Sequence, residues 1–123
     1  MSLHPELNAF LDLAEESQAD GPGPFHLSTP AQAREAFERT TVQLRWGAPT
    51  DVSVVTVLYT ARDGASLELR LYRPASAQAE ALPVLVYFHG GGHVVGSLQC
   101  YDGMCRGFCA LTPAAGLSVG YRC

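Results

Sequence analysis

Positive charge is scarce in this chain: 8 basic residues stand against 12 acidic ones, for a net charge of −4. A nucleic acid or an anionic bilayer demands a clustered positive face, so the balance argues against both as partners. Long apolar runs are also missing; none approaches the length needed to cross a membrane. Met1-Ser2-Leu3-His4-Pro5 carries no basic leader region, which predicts a soluble, cytoplasmic chain. Cysteine is sparse as well. Four cysteines in 123 residues, 47% of them apolar, do not make a disulfide-stapled secreted scaffold. No internal repeat is visible. What remains is a chain of one-domain length, with low charge and enough apolar material for a core, hence globular rather than disordered.

The most informative stretch runs from Leu82 to Leu98, LPVLVYFHGGGHVVGSL. Pro83 to Phe88 is an unbroken apolar run, which reads as a strand buried on both faces, as in the middle of a parallel sheet. It stops at His89 and is followed by Gly90, Gly91 and Gly92. Successive glycines lose much backbone freedom on folding. They suit a place where the main chain takes unusual dihedrals or where a ligand comes within reach of its N–H groups. At the carboxyl end of a buried parallel strand, a ligand is the usual reason.

The preceding residues divide into a helical arm and a β section. Leu3, Leu7, Phe10, Leu11 and Ala14 recur at helical spacing, with Pro5 suited to the first turn. The helix is expected to end before the breaker cluster Asp20-Gly21-Pro22-Gly23-Pro24. Thr29-Pro30-Ala31-Gln32 has the form of a capping box and predicts a second helix with the apolar stripe Ala33, Ala36, Phe37, Thr40. Arg34 with Glu38 and Glu35 with Arg39 are i,i+4 pairs, read as a solvated helix face without a functional role. Gly47-Ala48-Pro49-Thr50 separates residues 1–47, the arm, from residues 48–123. Val52 to Thr60 is rich in β-branched residues, Ser66 to Arg73 alternates, and Asp63-Gly64 between them signals a hairpin. Pro74 to Ala81 reads as a small-residue linker.

Beyond the glycines, Ser97 is the expected N-cap of a helix. Its apolar stripe is Tyr101, Met104, Cys105, Phe108 and Cys109, with Asp102 in the first turn. Pro113 closes it, and Gly116 to Tyr121 reads as a further strand. Strand, glycine loop, helix and strand make a βαβ unit with its two strands parallel.

The run PVLVYFHGGGHVVGSLQCYDGMCRGF…GLSVGYR resembles the oxyanion-loop region of the hormone-sensitive-lipase-like (family IV) esterases of the α/β-hydrolase superfamily. The resemblance extends over most of the chain, including the helical arm, the Asp-Gly hairpin and the strand end RLYRP. It implies an α/β fold, specifically the amino-terminal portion of an α/β-hydrolase: part of a helical cap, a β-hairpin, then a parallel βαβ unit, incomplete as a fold. It implies a carboxylic ester hydrolase acting on a small acyl ester through a Ser-His-Asp triad, with no cofactor and no metal. In such enzymes backbone N–H groups of this loop bind the oxyanion of the tetrahedral intermediate. By resemblance the oxyanion hole maps to His89, Gly90, Gly91 and Gly92. Gly91 and Gly92 are the donors, Gly90 shapes the turn, and His89 braces the loop through its ring. His93 stands where the family has an aromatic, which implies a place in the substrate-pocket wall.

The triad is another matter. One literal G-x-S-x-G occurs, Gly116-Leu117-Ser118-Val119-Gly120. A nucleophile elbow places its serine on a strained turn between strand and helix. Ser118 lies inside a strand-like run with only Tyr121-Arg122-Cys123 after it, and no acid or histidine follows, so it reads as a decoy. By resemblance the segment matches the family's V-D-Y-R strand, with Gly120 in place of the aspartate. The chain is thus expected to be an amino-terminal piece of an esterase, catalytically inactive alone. The strand that would flank Val84 to Phe88 is missing, which predicts an apolar edge open to homodimerisation or aggregation. The alternative is a non-catalytic module that uses the glycine loop to hold an anion or a partner.

The remaining reactive side chains have plainer readings. Cys105 and Cys109 lie four apart on an apolar stripe and read as small core residues. Cys100 and Cys123 have no partner pattern. His89 and His93 are four apart, but glycines intervene and no helix spans them. His4 and His26 read as surface residues, and Trp46 as a packing residue between arm and core.

Overall fold

The computed structural model describes residues 3–19, 25–45, 47–77 and 81–123. The breaker cluster at 20–24, Trp46 and the linker positions 78–80 lie outside the described residues. The described residues include the helices α1 (Pro5–Ala19), α2 (Pro30–Leu44) and α3 (Asp102–Leu111). Four strands join them: β1 (Val52–Thr60), β2 (Ser66–Pro74), β3 (Val84–Phe88) and β4 (Ala115–Val119). A short 3₁₀ turn, Phe25–Leu27, precedes α2. No helix among the described residues is long and apolar enough to cross a membrane.

Local chemistry accounts for the starts and turns. Thr29 Oγ1 accepts from the Gln32 N–H at 3.3 Å, and Gln32 Oε1 accepts from the Thr29 N–H at 2.9 Å, which completes the capping box of α2. Pro30 then fills a first-turn position whose N–H has no partner to lose. Between β1 and β2, Asp63 Oδ1 accepts from the Ala65 N–H at 3.3 Å and Gly64 takes φ +87°. The cap of α3 departs from the sequence reading. Its N-cap is Tyr101, with no side-chain bond, whereas Ser97 Oγ accepts from the Cys100 N–H at 3.2 Å and caps the turn just before the helix.

The strands form one mixed sheet in the order β1-β2-β4-β3. β1 and β2 pair antiparallel from Val52↔Pro74 to Thr60↔Ser66. β4 pairs antiparallel with β2 and parallel with β3, Val84↔Ala115 to Phe88↔Val119. The crossover through α3 is therefore the parallel βαβ unit that the sequence predicts. α3 covers one face. Its Cys105 and Cys109 pack with Val52 and Tyr72 in the core, flanked by Val54, Tyr87 and Ala110. The approach is close: a Cβ on Gly116 of β4 would fall 2.8 Å from Cys109 Sγ.

A polar cluster docks the start of α3 on β2. Asp102 Oδ1 accepts from the Tyr72 hydroxyl at 2.9 Å and from Arg70 at 3.2 Å. Its Oδ2 accepts from Arg106 Nε at 2.8 Å, and Arg106 also donates to the Val52 carbonyl at 3.1 Å. Burial pushes the Asp102 carboxyl up, but the bonds from Arg106 and Tyr72 outweigh it and the net shift is down. Burial and the same carboxylate push the Tyr72 hydroxyl far up, so it stays a donor.

Two expected burials are absent. β3 is not sunk on both faces: Val84, Leu85, Val86 and Phe88 are 47–62% exposed. The strand lies at the sheet edge, α3 reaches only its Tyr87 side, and no described element covers the opposite face. The stripe of α1 is likewise uncovered, with Leu3, Leu7, Phe10 and Leu11 44–52% exposed. On α3 the stripe splits; Cys105 and Cys109 are buried, while Met104 and Phe108 stay 38% and 40% exposed. The helical spacing on α1 and α3 is as read, whereas the burial read from the unbroken run of β3 is not found; the surfaces that would cover all three are not among the described residues.

Candidate active site

The site is the turn that follows β3. Within six positions four residues take positive φ: Gly91 at +133°, Gly92 at +60°, His93 at +59° and Gly96 at +100°. A Cβ on Gly91 would fall 1.8 Å from the Val95 carbonyl oxygen. A Cβ on Gly96 would fall 2.7 Å from both the Gly90 carbonyl and His89 Nδ1. No side chain fits either place. His93 is the one non-glycine residue at positive φ among the described residues, a conformation costing about 1–2 kcal/mol. Such strain collects at functional sites.

The hydrogen bonds of the turn are one-sided. The Gly91 carbonyl accepts from the Val94 and Val95 N–H groups, both at 3.0 Å. The Gly90 carbonyl accepts from His89 Nδ1 at 2.9 Å and, at a long 3.5 Å, from the Tyr101 hydroxyl. Neither the Gly91 nor the Gly92 N–H donates to any described residue. The turn buries its acceptors and presents its donors. A carbonyl and the N–H that follows it lie in one rigid plane and point opposite ways. Fixing the Gly90 and Gly91 carbonyls therefore turns the Gly91 and Gly92 N–H groups away from the partners of those carbonyls.

His89 is the pivot. It is 4% exposed and lies between two tyrosines, 4.3 Å from the Tyr121 ring at 18° and 5.5 Å from the Tyr101 ring at 13°. The bond to Gly90 requires a proton on Nδ1, so the Tyr121 hydroxyl, 3.3 Å from the same nitrogen, gives its proton instead to the His89 carbonyl. Burial pushes the Tyr121 hydroxyl up, which keeps it a donor. His93 is exposed, with its ring edge-on to Tyr121 at 6.3 Å and 65°.

Ser118 is elsewhere. It sits in the middle of β4, opposite Tyr87, 1% exposed, and the only polar group facing its Oγ among the described residues is the weak Cys105 thiol. It shares an apolar cavity of about 10 Å³ with Cys105, Cys109, Phe108 and Leu85. No histidine of the described residues lines that cavity. Burial pushes the thiols of Cys105 and Cys109 up, so both are protonated core groups. Gly120, after β4, donates to the Glu68 carbonyl at 2.8 Å, and a Cβ there would approach that oxygen to 2.6 Å.

Sequence reasoning missed the groups that hold the turn from outside. Tyr101 and Tyr121 read as stripe and strand residues, yet they bracket His89. Arg34 and Glu38, read as a solvated face, contact the turn. Arg34 Nε donates to the Val94 carbonyl at 2.8 Å, and Ser97 Oγ donates to Glu38 Oε1 at 2.6 Å. These partners lie 60 and 59 residues apart, so no local pattern announces them. The other pair, Glu35 with Arg39, is a surface ion pair at 3.8 Å as expected. Between α2, β2 and the turn lies an open cavity of about 540 Å³, lined by Arg34, Glu68, Arg70, His89, Leu98 and Tyr121 among others.

Residues 85–123 match a protein family described as alpha/beta hydrolase fold. An ethyl acetate hydrolase of Pseudomonas putida is 37% identical over 124 residues, 99% of this chain and 39% of that protein. The carboxylic ester hydrolase LipN of Mycobacterium tuberculosis is 37% identical over 98% of this chain and 31% of its own length. Among solved structures, an ester hydrolase from the Lake Arreo metagenome, complexed with a bipyridine phosphonate derivative, superposes with a TM-score of 0.87 at 27% identity. That match covers 98% of this chain and 38% of the other. A hyperthermophilic esterase from the archaeon Pyrobaculum calidifontis superposes with a TM-score of 0.76 at 31% identity, covering 99% and 37%. The chain spans less than two fifths of the length of these relatives. The chain has the α/β-hydrolase fold and, over nearly its whole length, is similar to part of these ester hydrolases.

Proposed function

We propose that this chain supplies the oxyanion loop of a carboxylic ester hydrolase. The observation that carries the reading is the pair of outward N–H groups at Gly91 and Gly92, free while the adjacent carbonyls are bound. When a nucleophile adds to an ester carbonyl, the π pair moves onto oxygen and a tetrahedral alkoxide forms. Donors already aimed at that oxygen stabilise it without reorganising, and each contributes about 10²–10³ in rate. The substrate is a small acyl ester whose carbonyl oxygen enters against the glycines, with His93 at the pocket wall.

The complete reaction needs a serine on a strand-to-helix turn, a histidine base and an acid to orient it. Ser118 cannot serve, for its hydroxyl is enclosed in the core. This chain by itself is therefore catalytically silent. Hydrolysis of a short-chain aryl ester tests this. The expected outcome is a rate near the buffer blank; turnover comparable to a complete esterase, abolished by Ser118→Ala, would overturn it. The same free amides also favour a second reading, a module that holds a carboxylate without chemistry. Assembly with a polypeptide carrying elbow, acid and histidine separates the two, since only the first reading gains hydrolysis.

A further inference from the structure

The loop's second donor is tied to helix α2 through two peptide planes. The Val94 carbonyl, which accepts from Arg34 Nε at 2.8 Å, shares its plane with the Val95 N–H. That N–H donates to the Gly91 carbonyl at 3.0 Å. The Gly91 carbonyl in turn shares its plane with the Gly92 N–H, which points away toward the site. The series runs from guanidinium to peptide, from peptide to peptide, and from peptide to the acceptor. Every link has donor and acceptor aligned in the same sense, so each polarises the next. The guanidinium is permanently charged and its fork lets one side chain serve two carbonyls. Its Nη2 donates to the main-chain oxygen of Cys123 at 2.6 Å, which ties α2 to the segment after β4. One helical turn on, Glu38 accepts from Ser97 Oγ at 2.6 Å and fixes the other end of the loop.

We infer that Arg34 is a positioning residue: it sets the direction and the polarity of the Gly92 N–H without touching substrate. Its role in catalysis rests on the oxyanion reading above; its control of the loop does not. The cap helix is then part of the oxyanion device, because a displacement of α2 rotates the Val94–Val95 peptide and with it the Gly92 donor.

The test uses the 123-residue chain with Arg34→Met, Arg34→Lys and, as a control on the far pair, Arg39→Met. Backbone amide exchange by NMR reads the loop directly. Arg34→Met is expected to speed exchange at Val95 by about tenfold, the scale of one charge-assisted bond. The β2 amides from Leu69 to Leu71 should hold their protection, which shows an intact sheet. Arg34→Lys should recover part of the Val95 protection, since an ammonium reaches one carbonyl but not both. Arg39→Met should change nothing. Unchanged Val95 exchange in Arg34→Met over a protected sheet overturns the inference. A second arm titrates butyrate, a carboxylate probe of the donors. A shift of the Gly92 amide in the wild type that is reduced in Arg34→Met supports the inference. An equal shift in both overturns it while leaving the oxyanion reading in place. No shift in the wild type removes the oxyanion reading, and the exchange arm still decides whether Arg34 orders the loop.

Discussion

The Tyr121 hydroxyl donates to the main-chain carbonyl of His89 while its ring lies 4.3 Å from the imidazole, nearly parallel. One residue thus fixes His89 twice, by its polar tip and by its face. The consequence passes to the loop, because the His89 ring holds the Gly90 carbonyl and so aims the Gly91 N–H. Tyr121→Phe keeps the stacking and removes the bond. The expected cost is about 1 kcal/mol in a urea melt, with faster amide exchange at Gly91. Equal melts and equal exchange would show that stacking alone holds His89.

The Asp102 cluster gives a pH dependence whose sign is fixed. The folded carboxyl titrates below its unfolded value because Arg106, Tyr72 and Arg70 donate to it, against the opposing effect of burial. Between the two pKa values the unfolded chain binds more protons, so stability rises with pH there. The contribution is complete above the unfolded value, about 3.9, and is lost as pH falls through the folded one. Asp102→Asn is expected to cost about 2 kcal/mol at pH 7. The difference between wild type and variant should hold from pH 7 to about 4 and shrink only as urea melts are carried below the unfolded value, toward about pH 2. A gap that stays constant over that range would remove Asp102 as the source.

The elements that could be read from sequence are those specified locally. Thr29 and Gln32 are three residues apart and define the start of α2; Asp63 and Gly64 are adjacent and define the hairpin. The glycine run after β3 announced unusual dihedrals, which Gly91 and Gly92 take at positive φ and Gly90 does not; Gly96, outside the run, takes them as well. What could not be read depends on partners far along the chain. The apolar composition of β3 implied two covered faces, but cover is a property of neighbours, and Val86 is 51% exposed. Ser97 has the chemistry of an N-cap and uses it one turn early, because its hydroxyl is also drawn to Glu38. Charge spacing on α2 was equally compatible with solvent and with a carbonyl 60 residues away.

Ser118 offers a test in which stability and activity part. Its hydroxyl is enclosed with only the weakly accepting Cys105 thiol beside it, so most of its desolvation cost is uncompensated. Ser118→Ala removes the polar atom at a small cost in packing. The expected result is a stability gain of about 1 kcal/mol by urea melt, with no change in ester hydrolysis. A loss of stability would mean that the oxygen has a partner in solution, and a loss of hydrolysis would return Ser118 to the chemistry.

The outer edge of β3 is the last consequence of this architecture. Among the described residues Val84 to Phe88 pairs with β4 alone, and its other row of N–H and C=O groups faces outward. The five residues carry no charge and no proline, the devices that usually blunt an edge. A second copy of the same strand can pair there antiparallel, satisfying that row and setting Val86 and Phe88, 51% and 62% exposed, beside the neighbour's apolar side chains. Dimers or larger species are therefore expected at micromolar concentration. Val86→Lys places a charge at the centre of the edge, where a paired neighbour would have to bury it, and should shift sedimentation to the monomer. A wild type that sediments as a monomer at every concentration, with a single cooperative melt, would show that the edge does not pair.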